Sequence, residues 1–364
     1  MYFAIDTDQG HTIAGWIVLD NPSAVPELVI KIPGRESIPF RANVLRPDLK
    51  DHGLHSTGLA GFQIDRSVID DLSDIPQLTL VEVETNLPIF RRNVYGAAVA
   101  KKVLLMEVGT FPQVRMLKEI MGLFDLTYPA VERFSLETTS SIIGSHAQSL
   151  FISGYPSWQR HGSLLRERGF LTAAILRDPF KELAERLLTL AHMKKWSKNA
   201  SLHPIMKHHA VLLDIVENMD FQDEKSLLAA FRGLSPEQYN LLRSPMTAAF
   251  GCYPEEEVQR RNVSIALDNL SHFDLVGTRE RLPDFSVVAD TLIGVPVFGD
   301  VRLESLPGVA ELAVILTKIG MIADILDEDI ALYSFASEAV NAAIGDQTRN
   351  EAEVQHSSGG GRER

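Results

Sequence analysis

The stretch Leu171–Ala191, LTAAILRDPFKELAERLLTLA, decides the fold class. Leu171–Leu176 is a short apolar run of the kind found in a strand buried on both faces. It leads into Arg177-Asp178-Pro179, where Asp178 suits a helix N-cap and Pro179 the first helical position. Phe180, Leu183, Ala184, Leu187, Leu188 and Ala191 then recur at helical spacing. Strand, turn, helix is the repeating unit of a parallel sheet with helices on its faces.

The same grammar appears upstream. Val103–Val108 (VLLMEV) reads as a buried strand, Gly109-Thr110-Phe111-Pro112 as its loop, and Val114, Leu117, Ile120, Met121 and Phe124 as the stripe of the next helix. Ser149–Ser153 and Phe273–Gly277 read as further strands, and residues 203–270 as mainly helical. A last helix over 327–344 is expected to end at Gly345, a C′ glycine. Before residue 95 the pattern differs. His11–Leu19, Glu27–Ile32, Gly61–Asp65 and Gln77–Glu82 are short strands separated by Asn-Pro, Pro-Gly and glycine turns, as in an antiparallel sandwich. The expected organisation is a β-sandwich over 1–95, an α/β domain over 101–345, and a polar, disordered tail over 346–364.

Composition narrows the function classes. The chain has 364 residues, 45% of them hydrophobic and 23% charged, which excludes a disordered, collagen-like or coiled-coil protein. No apolar run reaches the ~18 residues of a membrane span. The opening MYFAIDTDQG carries no secretory signal and there is one cysteine, Cys252, so a soluble, cytoplasmic protein is expected. The net charge of −13 argues against a general nucleic-acid binder, because phosphate backbones demand a cationic face. One anionic ligand in a local basic pocket stays open.

The junction at Arg177 is the first candidate for such a pocket. A guanidinium at a strand end, beside the free N–H groups of a helix start, is an anion-binding arrangement. The alternative is that Arg177 pairs with Asp178 or caps a neighbouring helix. Gly109 and Thr110 can line a phosphate, with Arg115 or Lys118 approaching from the next helix. No Walker motif is present, so a plain connecting turn is the alternative. His203, His208 and His209, with His192 upstream, lack the spacing and partners of a zinc site, and no metal is expected. Cys252 has no base beside it and reads as an inert, buried thiol. GxSxG, HExxH and GxGxxG are absent, and the sequons at Asn199, Asn262 and Asn269 read as chance matches.

The segment Phe151–Leu190, with its Arg-Asp-Pro turn, resembles the core of the carbohydrate-type sulfotransferases. Ala266–Arg281 (ALDNLSHFDLVGTRER) and Asp329–Glu338 (DIALYSFASE) are similar to later stretches of that family. Gly15-Trp16, Arg46-Pro47-Asp48 and Gly61-Phe62 resemble an accessory module of bacterial polysaccharide-related transferases. The resemblance implies a P-loop-like sulfotransferase fold, PAPS as donor and a saccharide as acceptor. It maps the 3′-phosphate arginine onto Arg177 and that family's serine onto Glu185. Val108–Pro112 stands where the family carries a loop lysine, and Tyr155 where a histidine is frequent. Gly109, Thr110 and Arg115 would then face the donor, with Arg115, Lys118 or Arg279 in the lysine's electrostatic role. Glu107, at the first strand's end, would be the acceptor base, or else a carboxylate paired with a nearby arginine. Three readings follow: a PAPS-dependent sulfotransferase, a catalytically inactive binding or scaffold relative in polysaccharide biosynthesis, and an enzyme of this fold using another phosphorylated donor. Trp16 is either a sugar-stacking aromatic or core filler.

Overall fold

The computed structural model describes residues 1–111, 113–195, 209–217, 219–299 and 302–358, with side chains through residue 343. Eight strands open the chain: β1 (Tyr2–Asp8), β2 (Ile13–Val18), β3 (Glu27–Lys31), β4 (Ile38–Arg41), β5 (Val44–Leu45), β6 (Leu59–Ile64), β7 (Gln77–Glu82) and β8 (Pro88–Asn93). They form two antiparallel four-stranded sheets, ordered β1-β2-β6-β5 and β4-β3-β7-β8. Alternation sets the register. Leu28 and Ile30 of β3 are buried and pair with Glu82 and Leu80 of β7, while Glu27 and Lys31 are exposed. Gly15 is required by packing, since a Cβ there would lie 2.7 Å from the Phe62 ring and 2.4 Å from the Ala4 carbonyl oxygen. One short helix, α1 (Pro47–Asp51), interrupts the strands.

Trp16 is half-buried against Val18, Leu49 and Ala60, and the Arg46 guanidinium lies 5.8 Å from its ring centre. The ring thus serves a small core and a cation–π contact.

After residue 100 strands and helices alternate: β9 (Lys102–Glu107), α2 (Val114–Met121), β10 (Leu126–Tyr128), α3 (Leu136–Gly144), β11 (Leu150–Gly154), α4 (Trp158–Glu167), β12 (Leu171–Leu176) and α5 (Pro179–Lys195). With β13 (Leu275–Thr278) these strands form a five-stranded parallel sheet, ordered β10-β11-β9-β12-β13. Leu126 pairs with Leu150, and Ala173–Leu176 pair with Leu275–Thr278. The chain divides into two compact units. One comprises residues 1–104, 118–153 and 161–171, the other 105–117, 154–160 and 172–364.

Among the described residues beyond α5, the second unit holds, besides β13, the helices α6 (Ala210–Leu213), α7 (Glu224–Arg232), α8 (Pro236–Leu242), α9 (Pro245–Gly251), α10 (Arg260–Leu270), α11 (Leu282–Ile293), α12 (Val309–Leu316), α13 (Gly320–Ile325) and α14 (Asp327–Ser358). Leu183, Leu187 and Leu190 of α5 share a core with Leu227 and Phe231 of α7, Leu312 and Leu316 of α12, and Ile322 and Ile325 of α13. Caps delimit these helices: Asp223 accepts from the amides of Lys225 and Ser226, and Ser235 forms a capping box with Gln238. α14 corrects one expectation. It runs through Gly345 to Ser358, so Gly345 does not terminate it. Glycine inside a helix costs only about 1 kcal/mol relative to alanine, which the surrounding helix formers offset. The remainder of the tail, 359–364, lies outside the described residues. Among the described residues, no helix is long and apolar enough to cross a membrane.

Candidate functional site

β9, β12 and β13 are neighbours in the sheet, and their carboxyl ends fall in one compact unit. Open parallel sheets place ligands at such ends, where the strand order reverses. β9 ends at Glu107, β12 runs into Arg177, and β13 into Arg279. The sheet thereby gathers a carboxylate and two guanidiniums that are far apart in sequence.

The β12–α5 junction follows its local rules. Pro179 opens α5, and the Asp178 carboxylate accepts from the Lys181 amide at 3.0 Å. Asp178 is thus a cap and not the partner of Arg177. α5 then delivers Glu182, Glu185 and Arg186 to its buried side. Arg177, only 5% exposed, is held by carboxylates. Its Nη1 donates to Glu185 Oε2, its Nη2 donates to Glu185 Oε1 at 3.2 Å, and its Nη1 lies 3.4 Å from Glu182 Oε2. This two-pronged contact is the fork geometry a guanidinium offers to a phosphate or a carboxylate. Here an internal carboxylate occupies it.

Arg279 extends the cluster. Its Nη1 lies 3.2 Å from Glu185 Oε2 and 3.7 Å from Glu107 Oε1, and its Nη2 donates to the Glu304 carbonyl. The Ser305 hydroxyl donates to Glu185 Oε1 at 2.9 Å. Gln113 ties the loop after β9 to the same segment, donating to the Glu304 carbonyl at 3.1 Å and accepting from its amide at 2.8 Å. Gly109 belongs here too, since a Cβ on it would lie 3.9 Å from Glu182 Oε2. Thr110 is half-buried in that loop, whereas Arg115 is exposed on α2. Lys181 pairs with Glu280 at 3.0 Å and not with Glu185.

Burial and charge compete at every carboxylate. Burial raises the Glu107 carboxyl above its ordinary range, against Arg279 and Arg177. Burial pushes Glu182 up to about 7, although Arg186 and Arg177 pull it down. At Glu185 burial acts in the same sense but loses to the Arg177 hydrogen bond and the Arg177 and Arg279 charges, which hold it low. Burial opposes the Arg177 charge, and its bond to Glu185 with the Glu182, Glu185 and Glu107 charges outweighs that. The result is three arginines (177, 186, 279) interleaved with three carboxyls (107, 182, 185).

Of the residues singled out in the sequence, Glu107, Gly109, Arg177, Glu185 and Arg279 come together here. Glu182, Arg186, Ser305 and Gln113 are additions. A partial signal for them exists: Glu182 and Arg186 are four apart, and Glu185 lies on the same helix. Cys252 is buried, and burial pushes its thiol up to about 11. His203 and His208 lie outside the described residues. Among the described residues no group of three His, Cys, Asp or Glu side chains is arranged to hold a metal. In comparisons with known proteins, no family model and no curated sequence matches this chain.

Proposed function

We propose that the chain is a sulfotransferase-like protein whose donor corner has become an internal ion-pair cluster, and that it acts as a non-catalytic binding or scaffold subunit in polysaccharide biosynthesis. One observation carries the reading: the Arg177 guanidinium is engaged by Glu185 on both terminal nitrogens. A 3′ phosphate entering this corner would have to displace a buried carboxylate or lie beside it. Two negative charges about 4 Å apart cost up to ~4 kcal/mol at an effective dielectric of 20. That is nearly three powers of ten in affinity.

Calorimetry with PAP and PAPS, with ATP and a nucleotide sugar as controls, tests the reading. The wild type is expected to give no saturable heat with PAP up to about 1 mM. Glu185→Ser is expected to free Arg177 and strengthen PAP binding, and Arg177→Ala to abolish it. Micromolar PAP binding by the wild type, unchanged in Glu185→Ser, overturns the reading. It would favour the second one, a PAPS-dependent transferase with Glu107 as acceptor base. Two features support that alternative: the kept strand–Arg–Asp–Pro–helix junction and a carboxyl with a raised pKa at a strand end.

A further inference from the structure

α5 buries two polar atoms that the ion-pair cluster does not use. Glu182 meets Arg177 through Oε2, but its Oε1 accepts no hydrogen bond. Arg186 donates from Nη1 to the Leu241 carbonyl at 3.1 Å, but its Nε donates none. The residues are 3% and 6% exposed, so bulk water does not satisfy these atoms. Leaving them unmade would be costly for charged groups. The two side chains face each other one turn apart on α5, with Glu182 Oε1 3.9 Å from Arg186 Nη2. That is too long for a direct hydrogen bond, so this pair leaves Glu182 Oε1 without a protein donor.

A cavity lies at this place. Pro179, Glu182, Leu183 and Arg186 of α5 line it with Leu242 and Asp329, and it offers ≈ 10 Å³ to the centre of a water-sized guest. One water needs roughly 10–15 Å³ on that measure. Asp329, on the other wall, accepts from the amides of Met246 at 3.0 Å and Thr247 at 2.6 Å, so its carboxylate is fixed. The guest must accept from Arg186 Nε and meet Glu182 Oε1. A bare cation cannot accept from Arg186 Nε, and a bare anion is repelled by Glu182 and Asp329. Water alone fits both protonation states of Glu182, since it donates to a carboxylate and accepts from a carboxylic acid.

We propose that this cavity is a binding site for a single ordered water molecule, which accepts from Arg186 Nε, bonds Glu182 Oε1 and completes the Glu182–Arg186 pair as a hydrated one. The site does not depend on what Arg177 binds, and it fixes the carboxyl that lies behind Arg177.

A high-resolution crystal structure of the full chain, native and soaked separately in rubidium and bromide, tests the site. One spherical density peak within about 3.2 Å of both Glu182 Oε1 and Arg186 Nε, with no anomalous signal from either ion, is the expected result. Flat density in the cavity overturns the proposal. A rubidium or a bromide anomalous peak there also overturns it, in favour of an ion site. The double variant Glu182→Leu/Arg186→Met keeps the cavity walls but removes both partners. The peak should vanish in it, and its persistence would show that these two groups do not hold the water.

Discussion

Two arginines are buried to nearly the same degree and are used in opposite ways. Arg92, on β8, is 7% exposed and Arg177 is 5% exposed. Arg92 spends its donors on Asp8, at 2.8 and 2.5 Å, and on the backbone carbonyls of Leu72 at 2.7 Å and Gly10 at 2.9 Å. One carboxylate balances its charge, and neutral carbonyls take the remaining donors. The arrangement is closed, a staple within the antiparallel region. Arg177 is surrounded by carboxylates, with two further arginines completing the balance. Charge neutrality there is a property of six side chains, and no protein group bonds Glu182 Oε1 or Arg186 Nε. A buried charge can be satisfied by dipoles or by other charges, and only the second way leaves groups that titrate.

The largest effect should come from removing each arginine. Breaking a buried pair strands its partner and costs ~3–5 kcal/mol. Arg177→Ala strands Glu185 and Glu182, both buried, and should reach that range in urea unfolding at neutral pH. Arg92→Ala strands Asp8, which keeps contact with solvent, and should cost less. The double variant Arg177→Met/Glu185→Leu should recover most of the loss, because a well-packed apolar pair replaces a buried ionic one at little cost. An Arg92→Ala loss equal to that of Arg177→Ala would remove the distinction between the two regions.

The next effect is a pH dependence of opposite sign in the two regions. Glu182 is pushed from its ordinary 4.5 up to about 7, primarily by burial. Between those values the folded chain holds a proton that the unfolded chain has lost. Stability from this group is therefore complete below about pH 4.5 and is lost as pH rises through 7. The difference is of order 3 kcal/mol. The groups facing Glu182 are Arg177, Arg186, Glu185 and Glu107, and the two glutamates reinforce its rise. Asp8 acts with the opposite sign: its carboxyl is held low against burial by Arg92, so its stabilisation is lost as pH falls. Urea midpoints at pH 5 and pH 8 should differ between wild type and Glu182→Gln, with the variant losing the decline toward high pH. A Glu182→Gln profile parallel to the wild type would refute the assignment.

These contrasts were unequally legible in the sequence. The β12–α5 junction was readable residue by residue because its determinants are local: an apolar run, a capping aspartate and a first-turn proline. β7 was readable to its ends for the same reason. β1, β4 and β8 were not, since YFAIDTD, IPFR and PIFRRN become strands through partners elsewhere in the chain. The site was half visible. Arg177 stood out through the turn and Glu185 only through the family resemblance, whereas Glu182 and Arg186 lie off the apolar stripe of the helix and carried no signal of burial. What buries them is packing by Leu242, Leu326 and Asp329, which are distant in sequence and follow no local pattern. The role of Glu304 and Ser305 was hidden for the same reason.

The smallest expected effect concerns the cap that places Glu182 and Glu185. Asp178 Oδ1 accepts from the Lys181 amide, one of the donors that a helix start leaves unpaired. Replacing a capping aspartate by alanine costs ~1 kcal/mol, while asparagine, an equally good cap, should be nearly neutral. Asp178→Ala should therefore lower stability by about that amount and Asp178→Asn by a few tenths. The cap lies outside the ion-pair cluster, so the Glu182-dependent difference between pH 5 and pH 8 should survive in both variants. If Asp178→Ala abolished that difference, the first turn of α5 would have to be frayed far enough to hydrate Glu182. The cluster's burial would then depend on the cap more than on the side chains packed around it.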